Sequence, residues 1–120
     1  MSAVLYEKRG HVAWITLNRP EHKNTMNGEV FIGLADAWQS VRDDDEVRVA
    51  VVTAVGEEDF CCGGDLAGVI PLWTGQKKAE TDMEKRLVSD PLIADRVMLK
   101  QEPLVKPVVA AINGRALGGG

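Results

Sequence analysis

The chain has no surplus of basic residues. Fourteen Lys and Arg stand against 18 Asp and Glu, a net charge of −4. That excludes a dedicated nucleic-acid binder, which needs a concentrated basic face. A small anionic ligand stays possible, because a few local Lys or Arg can hold a phosphate on an acidic protein. No apolar run approaches the roughly 20 residues of a membrane-spanning helix. Residues 1–9, Met-Ser-Ala-Val-Leu-Tyr-Glu-Lys-Arg, lead straight into a strand-like pattern, without a signal peptide's apolar region and cleavage site. The expectation is a cytoplasmic protein that does not touch membranes. Cysteine is scarce too: Cys61 and Cys62 are adjacent, so their side chains point apart and no intrachain bridge is expected. They read as small, semi-buried residues beside a turn, with a reactive thiol as the alternative. His11 and His22 are isolated, and no Cys or His sits at ligand spacing, so no zinc site is predicted. Neither G-x-G-x-x-G, G-x-x-x-x-G-K-[ST] nor G-x-S-x-G occurs. Internal repeats and low-complexity linkers are absent as well.

What is present is the balance of a folded protein. The chain has 120 residues, 45% hydrophobic and 27% charged, enough for one domain that buries about two-thirds of its unfolded surface. Glycine is in excess, at 12 residues against a usual share of about 7%. Gly63, Gly64 and Gly68 form one cluster; Gly114, Gly118, Gly119 and Gly120 form another. A domain rarely ends on three glycines after an apolar run, which predicts that the chain is the front part of a longer one.

Residues 4–9 and 12–18 read as two strands joined by Gly10-His11, a two-residue hairpin signal. Val12, Trp14 and Thr16 share one face and Ala13, Ile15 and Leu17 the other, a pattern compatible with burial on both sides. Arg19-Pro20 ends the strand, and residues 20–25 read as a loop. Asn27 is placed to cap a helix whose Val30, Leu34, Trp38 and Val41 recur at helical spacing, with Phe31 and Ala37 widening the stripe. Asp43 to Glu46 reads as a solvated turn, because it lacks the glycine and distal glutamate of a calcium loop. Residues 47–54 are β-branched and apolar on both faces, as in a central parallel strand. Glu57, Glu58 and Asp59 then read as surface charges. Residues 80–101 read as helix, interrupted near Pro91. Residues 107–113 read as a second buried strand. Strand and helix alternate, the α/β signature.

Both glycine clusters follow a buried apolar strand. In open α/β folds ligands gather beyond the carboxyl ends of parallel strands. Glycine there lets a backbone N–H approach a ligand closely. Two such turns could aim two N–H groups at one oxygen, the geometry of an oxyanion hole. The plain alternative is a pair of tight structural turns.

Four stretches carry a resemblance: Val12 to Glu21 with Asn24-Thr25-Met26-Asn27; Asp44 to Val49; Phe60-Cys61-Cys62-Gly63-Gly64-Asp65-Leu66; and Lys106 to Gly120. In this order they resemble the enoyl-CoA hydratase/isomerase (crotonase) family over nearly the whole chain. The resemblance implies an α/β fold of the ClpP/crotonase type, a ββα-spiral core, with residues 1–120 as the N-terminal part of one domain that stops before the C-terminal helices. It implies that the N–H groups of Gly64 and Gly119 grip the thioester carbonyl of an acyl-CoA and stabilise the enolate. Cys62, Gly64, Asp65, Leu66, Ala67 and Gly119 would line the substrate site, with backbone near Cys62 reading the adenine. Lys23 is a candidate for the coenzyme's phosphates. Cys62 departs mildly from the family's usual alanine, and Asp65 is placed to cap the helix after the turn. No cofactor is implied beyond coenzyme A as part of the substrate. The family's members assemble as homotrimers or hexamers.

The activity so implied is enoyl-CoA hydration, a lyase reaction of fatty acid metabolism. Isomerase, dehalogenase or decarboxylase chemistry on the same frame is the alternative. In family hydratases the water-activating glutamates lie downstream of the second glycine turn, and this chain contains neither. A catalytically silent CoA-binding module is therefore a further alternative.

Overall fold

The computed structural model describes residues 2–100 and 103–120. Strands β1 (Val4–Arg9) and β2 (Val12–Leu17) form the expected antiparallel hairpin about Gly10-His11. A 3-10 turn at Pro20–His22 leads through the left-handed Lys23 and Asn24 to α1 (Gly28–Asp43). Strand β3 (Val49–Ala54) is followed by the short β4 (Asp59–Cys61), α2 (Ile70–Trp73), α3 (Asp82–Ser89), α4 (Ile93–Val97), β5 (Val108–Ala110) and β6 (Arg115–Ala116).

β1, β2, β3 and β5 make one sheet in that order, with β2, β3 and β5 mutually parallel. β4 and β6 pair separately, also in parallel, with an irregularity between Asp59 and Cys61. β3 is central and parallel, as its β-branched run implies. Helix α1 lies over one face of the main sheet. Its stripe of Val30, Phe31, Leu34, Ala37, Trp38 and Val41 is buried throughout, with Ala13, Ile15, Leu17 and Ala50 of the sheet in the same core. The Asn27 carboxamide accepts from the Val30 N–H at 3.1 Å, the predicted cap. Trp38 Nε1 donates to the Val97 carbonyl at 3.0 Å, tying α1 to α4 inside the core. Phe31 meets Trp73 edge to face at 5.0 Å, which fixes α2 against the same helix.

Four expectations are corrected. The second strand of the apolar pair, β5, is exposed along its whole length, not buried. It pairs only with β3 and forms the sheet edge, and no described element covers it. The outer face of β2 is half-buried rather than buried, and the Arg9 guanidinium stands 5.0 Å over the Trp14 ring. Asp59 is not a surface charge but a buried one, 7% exposed and bonded to Arg115 Nε at 2.7 Å. The helical stretch after residue 80 divides at Asp90-Pro91-Leu92 into α3 and α4, as Pro91 predicts, but ends at Val97. Its expected last residue, Gln101, lies outside the described residues. Among those residues no helix is long and apolar enough to cross a membrane.

Candidate functional site

The two glycine clusters meet. Residues 25–26 run beside residues 63–65 as a one-residue parallel bridge, Met26 to Gly64. The Met26 N–H donates to the Gly63 carbonyl at 2.8 Å, and the Asp65 N–H donates to the Met26 carbonyl at 2.9 Å. Alternation along an extended chain then turns the Gly64 N–H to the opposite side. One residue earlier, the Cys62 N–H donates to the Lys23 carbonyl at 3.2 Å. The first glycine turn is thus built against the loop between β2 and α1.

The second turn is closed by the Gly120 N–H donating to the Leu117 carbonyl at 2.9 Å, while the Leu117 N–H donates to the Cys61 carbonyl at 3.0 Å. Gly118 occupies the left-handed region at φ 59°, a conformation that glycine adopts freely. Gly119 is the second central residue of this β-turn, whose closing bond leaves that N–H free. Among the described residues neither the Gly64 N–H nor the Gly119 N–H has an acceptor. A carbon added to Gly63 would stand 3.1 Å from the Leu117 carbonyl oxygen and 3.6 Å from the Gly119 nitrogen, so the turns touch. The backbones run together further on as well. A carbon added to Gly114 would land on the Glu58 carbonyl, and one on Gly120 on the Cys61 carbonyl.

A cleft of about 710 Å³ opens on this junction, lined among others by Lys23, Cys62, Gly64, Asp65, Leu66 and Ala67. These are the predicted site residues except Gly119, whose neighbour Gly118 also lines it. Gly119 is exposed and lines instead an apolar pocket of about 110 Å³ beside Met26 and Met98. Lys23 is exposed at the cleft rim, and Leu66 is 80% exposed.

Asp65 caps the turn at residues 66–69 rather than α2. Its Oδ1 accepts from the Ala67 and Gly68 N–H groups at 2.9 Å each, while α2 begins after Val69 with no side-chain cap. Its Oδ2 accepts from Arg19 Nη1 at 3.0 Å. Burial alone would raise the Asp65 carboxyl, but the Gly68 N–H, Arg19 and the Ala67 N–H outweigh it and hold it below the ordinary carboxylate range. Asp59 is likewise held low, by its bond to Arg115 against the effect of burial. Cys62 donates its S–H to Asp59 Oδ1 at 3.3 Å. Burial and Asp59 push the Cys62 thiol above its ordinary value, and burial does the same for Cys61. Both cysteines are free, and raised thiols of this kind are poor nucleophiles.

The sequence reading missed Arg19 and Asn24. Asn24, 1% exposed and left-handed at φ 52°, donates through Nδ2 to the Val55 and Asp59 carbonyls at 3.1 and 2.9 Å. Its Oδ1 accepts from the Arg19 N–H at 2.8 Å. An asparagine in a loop is a recognisable candidate for left-handed backbone, but the two carbonyls it holds are far away in sequence.

The family model described as Enoyl-CoA hydratase/isomerase matches residues 7–120. The chain is 38% identical over 117 residues to (E)-benzylidenesuccinyl-CoA hydratase of Thauera aromatica, covering 98% of this chain and 41% of that protein. It is 32% identical over 120 residues to the short-chain-enoyl-CoA hydratase of Clostridium acetobutylicum, covering 100% of this chain and 42% of that one. Among solved structures, a carnitinyl-CoA dehydratase from Mycobacterium avium superposes with a TM-score of 0.77 at 35% identity, over 100% of this chain and 43% of its own. The chain thus spans about two-fifths of the length of these relatives.

Proposed function

The chain belongs to the enoyl-CoA hydratase/isomerase family, and on that premise we propose that it binds an acyl-CoA thioester and carries the oxyanion-stabilising part of enoyl-CoA hydration. Residues 1–120 are then part of a single crotonase-like domain, a reading supported by the share of its relatives' length that the chain spans.

The observation that carries the reading is the pair of N–H groups without acceptors, Gly64 and Gly119, on two turns in contact. In this reading the thioester oxygen takes both donors. When water adds across the double bond, electron density moves onto that oxygen and forms an enolate, which the donors stabilise more than they stabilise the substrate. One such donor is worth about 3 kcal/mol of barrier, roughly a hundredfold in rate. The coenzyme runs along the cleft lined by Lys23, Cys62 and residues 64–67. Lys23 at the rim meets a phosphate, and the exposed Leu66 offers an apolar contact.

The carboxylates built into the turns, Asp59 and Asp65, do not serve as the proton donor or base. Each is held ionised by an arginine; both Asp65 oxygens are occupied, and Asp59 Oδ1 takes Arg115 and the Cys62 S–H. This favours a second reading, in which the 120 residues bind the thioester without turning it over. Calorimetric titration with CoA and acetyl-CoA, beside a crotonyl-CoA hydration assay on the same chain, separates the two. Binding with turnover supports the hydratase reading, and binding alone supports the silent one. No binding of either ligand contradicts both.

A further inference from the structure

Gly64 makes no hydrogen bond of its own that would hold its N–H in place; its position is set by what holds its neighbours. We propose that Arg19 is the positioning residue of the Gly64 donor, fixing both strands of the bridge that present it. The proposal rests on the oxyanion reading of Gly64 and deepens it.

Arg19 stands just past the end of β2, with its backbone N–H anchored on Asn24 Oδ1. Its side chain is 12% exposed. Nη1 donates to the Thr25 carbonyl at 2.8 Å, to Thr25 Oγ1 at 3.1 Å and to Asp65 Oδ2 at 3.0 Å. Thr25 precedes Met26, and Asp65 follows Gly64. One guanidinium therefore clamps the two chain segments at the level of the bridge, and the clamped carboxylate passes the restraint on to residues 66–68 through Oδ1. A buried ion pair adds little net stability, since desolvation offsets most of its attraction. What a planar guanidinium does supply is geometry, here through one nitrogen shared by all three acceptors. Donors that stabilise a developing oxyanion must sit within a few tenths of an ångström of their place, and the Arg19 side chain is in contact with both sides of this one.

The test uses the full chain and acetyl-CoA labelled with carbon-13 at the thioester carbonyl, read by difference infrared spectroscopy. The bound carbonyl stretch of the wild type is expected at lower frequency than that of the free ligand, the signature of a polarised C=O. Arg19→Gln is expected to keep the wild-type affinity for CoA, which has no acyl carbonyl, and to show a smaller shift, since the Gly119 donor remains; Arg19→Lys, which keeps the charge, recovers part of the loss. Asp65→Asn retains the acceptor for the Ala67 and Gly68 N–H groups while breaking the pair, and decides the matter should Arg19→Gln not fold. A full carbonyl shift in folded Arg19→Gln or Asp65→Asn overturns the proposal. So does a parallel loss of CoA affinity and carbonyl shift, which marks a merely structural brace. A wild-type chain that binds acetyl-CoA without any shift overturns the oxyanion reading itself, and the role of Arg19 falls with it.

Discussion

Met26 and Gly64 are paired through a single parallel bridge, and both of its hydrogen bonds belong to residues beside Gly64 rather than to Gly64. The arrangement leaves the Gly64 N–H free, on a turn that touches the second glycine turn through Gly63. It also makes the placement of that donor depend on the loop between β2 and α1, a segment that carries no glycine before Gly28.

Asn24 is the structural lock of that loop. Replacing it with alanine leaves the Val55 and Asp59 carbonyls without their donor and puts an unsuited residue in the left-handed region. The orphaned Asp59 carbonyl, whose bond is buried, costs about 1–3 kcal/mol, the Val55 carbonyl at the exposed Val55 adds less, and alanine at positive φ adds about 1 kcal/mol. The expected loss for Asn24→Ala is about 3–5 kcal/mol, measured by urea unfolding. Asn24→Gly relieves only the backbone part and stays destabilised. An Asn24→Ala chain as stable as wild type would contradict the assignment.

Gly114 is required for close approach rather than for its dihedral angles. Any Cβ there collides with the Glu58 carbonyl, and the Arg115 N–H to Glu58 bond at 3.0 Å has to move with it. Gly114→Ala is expected to cost about 1–3 kcal/mol, the range of overpacking. A thermal melt of the variant checks this, and an unchanged midpoint would show that the β4–β6 contact is looser than described.

Helix α3 carries an acid-sensitive cap. The Glu84 carboxylate accepts from Lys77 Nζ and from the Glu80 and Thr81 N–H groups, which lowers its pKa from 4.5 to about 2. A carboxyl depressed on folding contributes stability that is complete above its unfolded value. That contribution is lost as the pH falls through the folded value. The stability difference between wild type and Glu84→Gln is therefore expected to be constant above about pH 5, to shrink below 4.5 and to vanish near 2. Chemical unfolding of both proteins across that range measures it. A difference that persists unchanged at pH 2 is the contrary result.

The parts of the fold set by local periodicity were legible in the sequence. The Val30 to Val41 stripe, the Asn27 cap, the Gly10-His11 hairpin and the break at Pro91 each depend on neighbours within a few residues. The meeting of Lys23 with Cys62 and residues 64–67 at one cleft joins segments far apart in sequence, and only the resemblance of the glycine motifs pointed to it. Arg19, Asn24 and the burial of Asp59 were not legible. Their partners are 30 to 60 residues away, at Asp65, Val55, Asp59 and Arg115, and no local pattern encodes such pairings. β5 misled for a related reason. An apolar run states that a strand can be buried, and only the surrounding elements decide whether it is.

The central claim is that Gly64 and Gly119 hold one thioester oxygen between them. The most direct test follows the carbonyl carbon resonance of carbon-13-labelled acetyl-CoA as it binds to wild type and to Gly64→Pro, which has no N–H to give. The account predicts a downfield shift on binding to the wild type, and a clearly smaller shift in the bound variant, which keeps only the Gly119 donor. An equal shift in a folded Gly64→Pro chain would show that the oxygen is not held there.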